Sequence, residues 1–392
     1  MQDIEGSLKI RLDINGETVD GVAIESTRPV HASRMFHQKP VDEVLSLLPL
    51  LFTICGVAQA CAAAQACEQA LGLPANPLSR ARRLALVDME TLREHLWRLF
   101  LDWPEFLGGQ AHKQVMAGIV SLQRKHRQIL CGNENPFSLD VTLTGFDRAS
   151  VDALYEPLKA LLHNEVFAMP VAKWLQIEDR RSLADWAEAT DTTAGSMIRQ
   201  IQTTGWETAG SCEFLPLPPM PDEQIDLLLQ DDSFIEQPVW EGLCRETGSL
   251  ARNHSPLLNE LLATCGNGLL TRLVARLTEI ARLMDLLSPT DESGEGVYSI
   301  ADGRGVGIGQ VPAARGQLVH RVILDNDHVS RYQILAPTEW NFHPKGVVVQ
   351  ALSALEGSEA QIEEQARLLI NAIDPCVGYE LQLAGADHSA DE

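Results

Sequence analysis

No stretch of this chain approaches the roughly 20 consecutive apolar residues that a membrane-spanning helix needs. Positive charge is also scarce: 31 Lys and Arg stand against 54 Asp and Glu, a net charge of −23. Such a surface repels phosphate backbones and anionic lipid, so neither nucleic acid nor a membrane is expected as a partner. The densest basic stretch, Arg124-Lys125-His126-Arg127, reads as a solvated helix face. The opening residues Met1-Gln2-Asp3-Ile4-Glu5 lack the basic region of a secretory signal. Eight cysteines are scattered over 392 residues, unlike the dense framework of a small exported domain. Together these features point to a reduced, cytoplasmic protein. The glycines at 303, 305, 307 and 309 are not followed by Lys-Ser/Thr, which excludes a phosphate loop.

The shortage that matters most is of paired cysteines. The stretch Leu51 to Cys61 holds Cys55 in Ile54-Cys55-Gly56-Val57-Ala58, and Asp374-Pro375-Cys376-Val377-Gly378-Tyr379 holds Cys376. In each, a second cysteine three residues on would complete a metal-binding pair, and Ala58 and Tyr379 stand there instead. Half of a four-thiolate site is thus split between the two ends of the chain. Cys61 and Cys67 follow at steps of six residues, about 240° around a helix, so neither shares a face with Cys55, and both read as packing residues. Cys131, Cys212, Cys244 and Cys265 show no paired spacing.

What is present is mostly helical pattern. Residues 7–24 alternate apolar and polar around Asn15-Gly16, which predicts a β-hairpin. Helices are expected over 40–50, 55–71, 79–101 (closed by Trp103-Pro104), 109–129, 149–163, 180–190 and 358–373, with an amphipathic region over 255–287. The alanine-rich helix after Cys55 has small faces that allow neighbouring helix backbones to approach closely. Leu215–Glu241, proline-bearing and acidic, reads as a surface connector or docking loop. Short β-rich runs follow at Leu318–Leu324 and Ser330–Leu335, and the polar tail from Ala384 to Glu392 is expected to be disordered. Length alone suggests two or three domains. Cys55 and Cys376 can share a site only if 1–392 forms one interlocked domain, mainly α (α+β), with a small β-rich part late in the chain.

Seven stretches in order resemble the large subunit of nickel–iron hydrogenases. Glu5-Gly6-Ser7-Leu8-Lys9-Ile10 is similar to that family's E-G-H-L-R-I, and Ile54-Cys55-Gly56-Val57 to its R-I-C-G-V-C. Glu94-His95 falls at its D-H or S-H, and Gly248-Ser249-Leu250-Ala251-Arg252 at its G-P-L-A-R. Ala314-Arg315-Gly316 with His320 resembles P-R-G-x-L-x-H, Pro337-Thr338-Glu339-Trp340-Asn341 resembles P-T-T-W-N, and Asp374-Pro375-Cys376 matches D-P-C.

The resemblance implies a fold and, through its departures, a function. The family's nickel is held by four cysteines, two of which bridge to an iron carrying CO and cyanides. Both bridging positions are lost here, as Ala58 and Tyr379, while Cys55 and Cys376 match the terminal ligands. His31 stands at the family's proton-relay glutamate, and Ala62 and Gln382 at its histidines. Arg315 and Thr338 align with groups around the iron cyanides, and Glu94 stands near them or pairs with Arg98 at i, i+4. This pattern is similar to the HupK/HoxV type of hydrogenase expression/formation protein. It implies a non-catalytic scaffold that takes Fe(CN)2CO transiently on Cys55 and Cys376, without nickel. The expected partners are the chaperone complex that builds the unit and the hydrogenase large-subunit precursor. A divergent hydrogenase-like redox subunit and a metal-free interaction protein remain the alternatives. Cys55, at a helix N-terminus, is expected to have a lowered thiol pKa. His31, His95 and His320 read as hydrogen-bonded structural groups.

Overall fold

Leu8, Ile10, Leu12 and Ile14 fall on one face of β1 (Ser7–Asn15), and all four are buried. The computed structural model describes residues 6–385 apart from 53, 75, 140, 142, 144–146 and 288–304, so Glu5 and Gly303 lie outside the described residues. Gly16, with φ +63°, makes the tight reversal into β2 (Thr18–Ser26), as Asn-Gly predicts. A third strand, β6 (Gly378–Gly385), pairs parallel with β1 in the order β2-β1-β6 and brings the two ends of the chain together. Ala384 and Gly385 pair with Asp13 and Ile14, so the expected disordered tail does not begin there. Residues 386–392 lie outside the described residues.

Helices α1 (Val41–Leu51), α2 (Gly56–Ala70) and α3 (Pro77–Trp97) follow the expected pattern. Pro77 fits the first turn of α3, where Asn76 caps the backbone N–H groups of Leu78 and Ser79. Trp103-Pro104 does not end this course, because proline is tolerated in a first turn and a further turn runs Trp103–Phe106. Then come α4 (Lys113–Cys131), α5 (Arg148–Leu161), α6 (Arg180–Glu188) and an unforeseen α7 (Thr193–Thr204). On α4, His126 is buried against Tyr155 and the Leu287 carbonyl, so the basic stretch is not solvated on all sides.

The region 255–287 is two helices, α8 (Pro256–Cys265) and α9 (Leu269–Leu286), broken at Gly266 with φ +58°. α9 is not amphipathic in the ordinary sense, since it is buried on nearly every side. Its polar residues meet partners inside the protein: Arg272 pairs with Glu246, Glu279 with His95, and Arg276 donates to the Asn371 and Ala372 carbonyls. A buried charge persists only with such partners.

A second antiparallel sheet, β3 (Val306–Ala313), β4 (Gly316–Asp325) and β5 (His328–Leu335), has the order β3-β4-β5. One face of β3 presents Gly307 and Gly309 to Ala66 and Ala62 of α2. A Cβ on either glycine would run into the α2 backbone. The small face of α2 therefore accommodates a strand rather than a helix, and the alternating glycines are the other half of that contact. The opposite face of the sheet is covered by the segment foreseen as a connector. Met220, Ile225, Leu229, Ile235 and Trp240 pack there against Ile308, Val319, Leu335 and Trp340. Asp226 pairs with Arg321, and Asp232 with Arg331. The acidic residues of this segment thus meet basic side chains on the sheet, and it does not protrude. Last comes α10 (Glu359–Ile373), opened by a Ser358–Gln361 capping box.

Candidate metal centre

Cys55 is the N-cap of α2, and its position is set by how closely α2 lies on β3. Cys376 follows the end of α10, where Asp374 takes φ +70° and turns the chain back. The two cysteines line one cavity of about 60 Å3, with Arg28 and Arg315 also on its wall. A single water needs roughly 10–15 Å3, so the space takes several diatomic-sized groups. Much of the remaining wall is apolar, including Val30, Phe52, Leu318 and Ile334.

Each sulfur has its own polar surroundings. Cys376 Sγ accepts from Thr338 Oγ1 at 2.9 Å and from Arg28 Nη1, and its backbone N–H donates back to Thr338 Oγ1 at 3.2 Å. Thr338 thus serves the cysteine and does not itself line the cavity. Arg28 is oriented by Glu339, 2.8 Å from its Nε. Cys55 Sγ accepts a longer bond, 3.7 Å, from Gln59 Nε2. Gln59 Oε1 lies 2.8 Å from His320 Nε2, and His320 Nδ1 lies 2.7 Å from the Tyr332 hydroxyl. With the Gln59 amide donating to sulfur, its oxygen requires the proton on His320 Nε2, leaving Nδ1 to accept from Tyr332. Burial keeps this imidazole neutral, with its pKa drawn down to about 3.

The expected lowering of the Cys55 pKa does not occur. Burial, with Cys376 and Glu90 nearby, pushes it up to about 12, against the pull of Arg315 and Gln59. Burial is the main cause, and Glu90 blocks what would oppose it, since its carboxylate accepts from the N–H groups of Val57 and Ala58, both at 3.0 Å. The donors that would favour a thiolate at this helix end already hold an anion. Burial raises Glu90 itself to about 7, despite those two bonds.

Arg315 is the side chain on which the wall turns. Its Nε donates to Asp374 Oδ1 at 3.1 Å and to the Pro375 carbonyl at 3.2 Å, and its Nη2 to Glu94 Oε2 at 3.1 Å. Its Nη1 is buried and has no partner among the described residues. Glu94 therefore holds Arg315 from behind. It does not pair with Arg98, which bonds Asp374 at 2.7 Å and Asp102 at 2.6 Å instead. Burial alone would raise the Asp374 pKa, but Arg315, Arg98 and Arg276 hold it well below the carboxylate range. A non-glycine residue at positive φ costs about 1–3 kcal/mol and persists where its surroundings demand it.

Neither lost ligand position faces this cavity: Ala58 is buried in the helix, and Tyr379 lines a neighbouring cleft with its phenol pKa raised by burial. His31 lies 3.3 Å from Glu236 and lines a different cavity from the thiols. His95 bonds Glu279 at 2.9 Å, away from the cavity. Cys61, Cys67, Cys131 and Cys265 are buried in the core, Cys212 meets Asn267, and Cys244 lies 3.3 Å from His343 Nδ1. Sequence reasoning missed Arg28, Gln59, Glu90 and Asp374. Asp374 carried a signal as the first residue of the D-P-C match, and Arg28 as the first residue of Arg28-Pro29-Val30-His31, which matches the family's R-G-x-E.

A family profile described as nickel-dependent hydrogenase matches residues 259–378. In fold, the chain is similar to the Ni-Fe-Se hydrogenase from D. vulgaris Hildenborough, with a TM-score of 0.63, 15% identity and coverage of 96% of this chain and 97% of that one. It is also similar in fold to an NAD+-reducing NiFe hydrogenase, at a TM-score of 0.59, 15% identity and 92% coverage of each chain. In sequence the chain is similar to hydrogenase expression/formation proteins of the HupK/HoxV type. It is 29% identical over 387 residues to the hydrogenase expression/formation protein HupK of Bradyrhizobium diazoefficiens, covering 97% of this chain and 98% of the relative. It is likewise 29% identical to HoxV of Cupriavidus necator, covering 95% of each.

Proposed function

We propose that the chain acts in hydrogenase maturation as a non-catalytic scaffold. It holds an Fe(CN)2CO unit as cargo between Cys55 and Cys376 and passes it to the hydrogenase large-subunit precursor. The observation that carries this reading is that Arg315, which lines the cavity the two thiols share, keeps a buried Nη1 with no partner among the described residues. A buried donor without an acceptor costs about 1–3 kcal/mol, and a cyanide nitrogen would relieve it.

The donor set points the same way. Among the described residues no group of three or more His, Cys, Asp or Glu side chains gathers as a metal site. A metal held by two thiols here must bring further ligands of its own. Two thiolates, iron(II) and two cyanides sum to a dianion, and Arg28 and Arg315 place two positive charges beside it. The apolar wall suits carbon monoxide, which needs no hydrogen bond. Soft thiolates suit an iron(II) carrying CO and cyanide. Binding would release the Cys55 proton, because the metal needs the thiolate. Nickel has no place in this reading, since neither an alanine methyl nor a protonated phenol can bridge two metals. The chaperone complex that builds the unit would be the donor, in the cytoplasm.

The test is infrared spectroscopy of protein purified anaerobically from a host with intact assembly machinery. CO and CN stretching bands should appear, vanish in Cys55→Ala, and shift in Arg315→Lys. Protein without bands from such a host would refute the cargo and leave a metal-free interaction protein as the reading.

A further inference from the structure

The cavity is not the only space that reaches the site. A cleft of about 750 Å3 lies beside it, within the 300–1,000 Å3 range of sites that enclose a ligand. The two spaces share Ile54, Arg315, Cys376 and Val377 as a common wall. Cys55 lines the small cavity but not the cleft. Both cysteines are part-exposed, and their thiols differ in which space they border.

They differ in support as well. Cys376 Sγ has two donors in place, the Thr338 hydroxyl and the Arg28 guanidinium. Cys55 Sγ has one long contact from a neutral amide. A sulfur that must leave a metal as a thiolate is stabilised by charge-assisted donors. A sulfur without them keeps the metal as its main partner.

From this we infer that Cys55 is the anchoring ligand and Cys376 the exchangeable one, and that the cleft receives a cysteine-bearing segment of the acceptor. The inference rests on the scaffold reading above and gives it a direction. In the exchange, the incoming thiolate bonds the iron as the Cys376–iron bond breaks. No electrons are transferred to or from the metal, its charge is unchanged, and Cys376 departs as a thiolate toward Arg28 and Thr338. Trp97, 43% exposed, lines the cleft with Phe106 and offers an apolar surface for the entering segment.

Gly378 makes the experiment clean. It lines the cleft, its φ is not positive, and a Cβ built on it meets nothing within 4 Å. Gly378→Trp should plug the cleft without straining the backbone. In the metal-free protein at fixed pH, a polyethylene-glycol maleimide should modify Cys376 about tenfold faster than Cys55, and because thiolate fraction also sets such rates, the change on plugging the cleft is what reads access. Site-resolved mass spectrometry reads both rates. Gly378→Trp should slow Cys376 by a similar factor and leave Cys55 and the melting temperature unchanged. In cargo-loaded protein, added glutathione should bleach the infrared bands, and more slowly in Gly378→Trp. Equal labelling of both thiols, or a plug that changes neither rate, overturns the inference even if the bands are present. The expected labelling in protein that never shows bands removes the cargo but sustains the difference in access.

Discussion

Replacing Gly309 by alanine tests the contact that places Cys55. The new methyl carbon would lie 2.8 Å from the Ala62 carbonyl carbon, closer still to its oxygen, and 3.0 Å from the Ala66 nitrogen. Carbon contacts are comfortable at about 3.5–4.0 Å, so α2 and β3 must separate by roughly 1 Å. The obstructing atoms are helix backbone, so no trimming of a side chain on α2 relieves them. Overpacking costs typically about 1–3 kcal/mol, and a rigid wall places this case near the upper end. Removing a glycine from the unfolded ensemble returns about 0.5–1 kcal/mol, which leaves a net loss of about 2 kcal/mol. Urea denaturation measures it. Gly118→Ala, within α4 and with nothing near its Cβ, is the control and should gain up to about 1 kcal/mol. Because Cys55 caps the displaced helix, cargo retention should fall in Gly309→Ala even where the protein stays folded. A loss below about 0.5 kcal/mol, the scatter of neutral surface changes, would refute the argument that the glycines exist for this approach.

The other expectations concern buried charge. Asp374→Asn keeps the left-handed turn, which asparagine tolerates, but removes the carboxylate that Arg315, Arg98 and Arg276 share, although Glu94 still faces Arg315 and Asp102 still faces Arg98. It should cost about 3–5 kcal/mol in thermal or urea unfolding, and an unchanged midpoint would contradict the role assigned to the triad. His126 and His320 have native pKa values of about 4 and about 3, below the unfolded value of about 6.5. The unfolded chain therefore binds protons first as pH falls, and stability held above about pH 6.5 is lost on the way to about pH 4 for His126 and about pH 3 for His320. At pH 5 the loss should be about 2 kcal/mol per histidine, read from denaturation at several pH values, and a flat profile would exclude it. Gln59→Leu leaves the His320 N–H without its acceptor and should cost about 1–3 kcal/mol. Adding His320→Phe together with Tyr332→Phe, which removes the hydroxyl that His320 Nδ1 serves, should recover part of that loss, and strictly additive effects would show that the groups do not act together.

Much of the fold was legible in the sequence because local patterns carried it. The alternation at Leu8–Ile14 with Asn15-Gly16, the small residues after Cys55 and the capping box at Ser358 each specify an element through short-range chemistry. Region 255–287 misled because α9 has a polar face like a surface helix, and only its neighbours reveal that Arg272, Arg276 and Glu279 meet buried partners. Leu215–Glu241 misled for a related reason: acidic, proline-bearing sequence looks solvated until Arg321 and Arg331 are placed opposite it.

The candidate site divides along the same line. By itself, the sequence determined which thiols remain and which are gone, because a ligand's identity is written in its residue type: Cys55 and Cys376 stay, and Ala58 and Tyr379 replace their partners. What only the tertiary structure decided is the state of those thiols and what surrounds them. Arg28 on Cys376, Glu90 under the α2 N-terminus, the free N–H of Arg315 and the cleft open to Cys376 alone all join residues distant in sequence. Burial and through-space charge act between neighbours in space, and no local spacing in the chain encodes them.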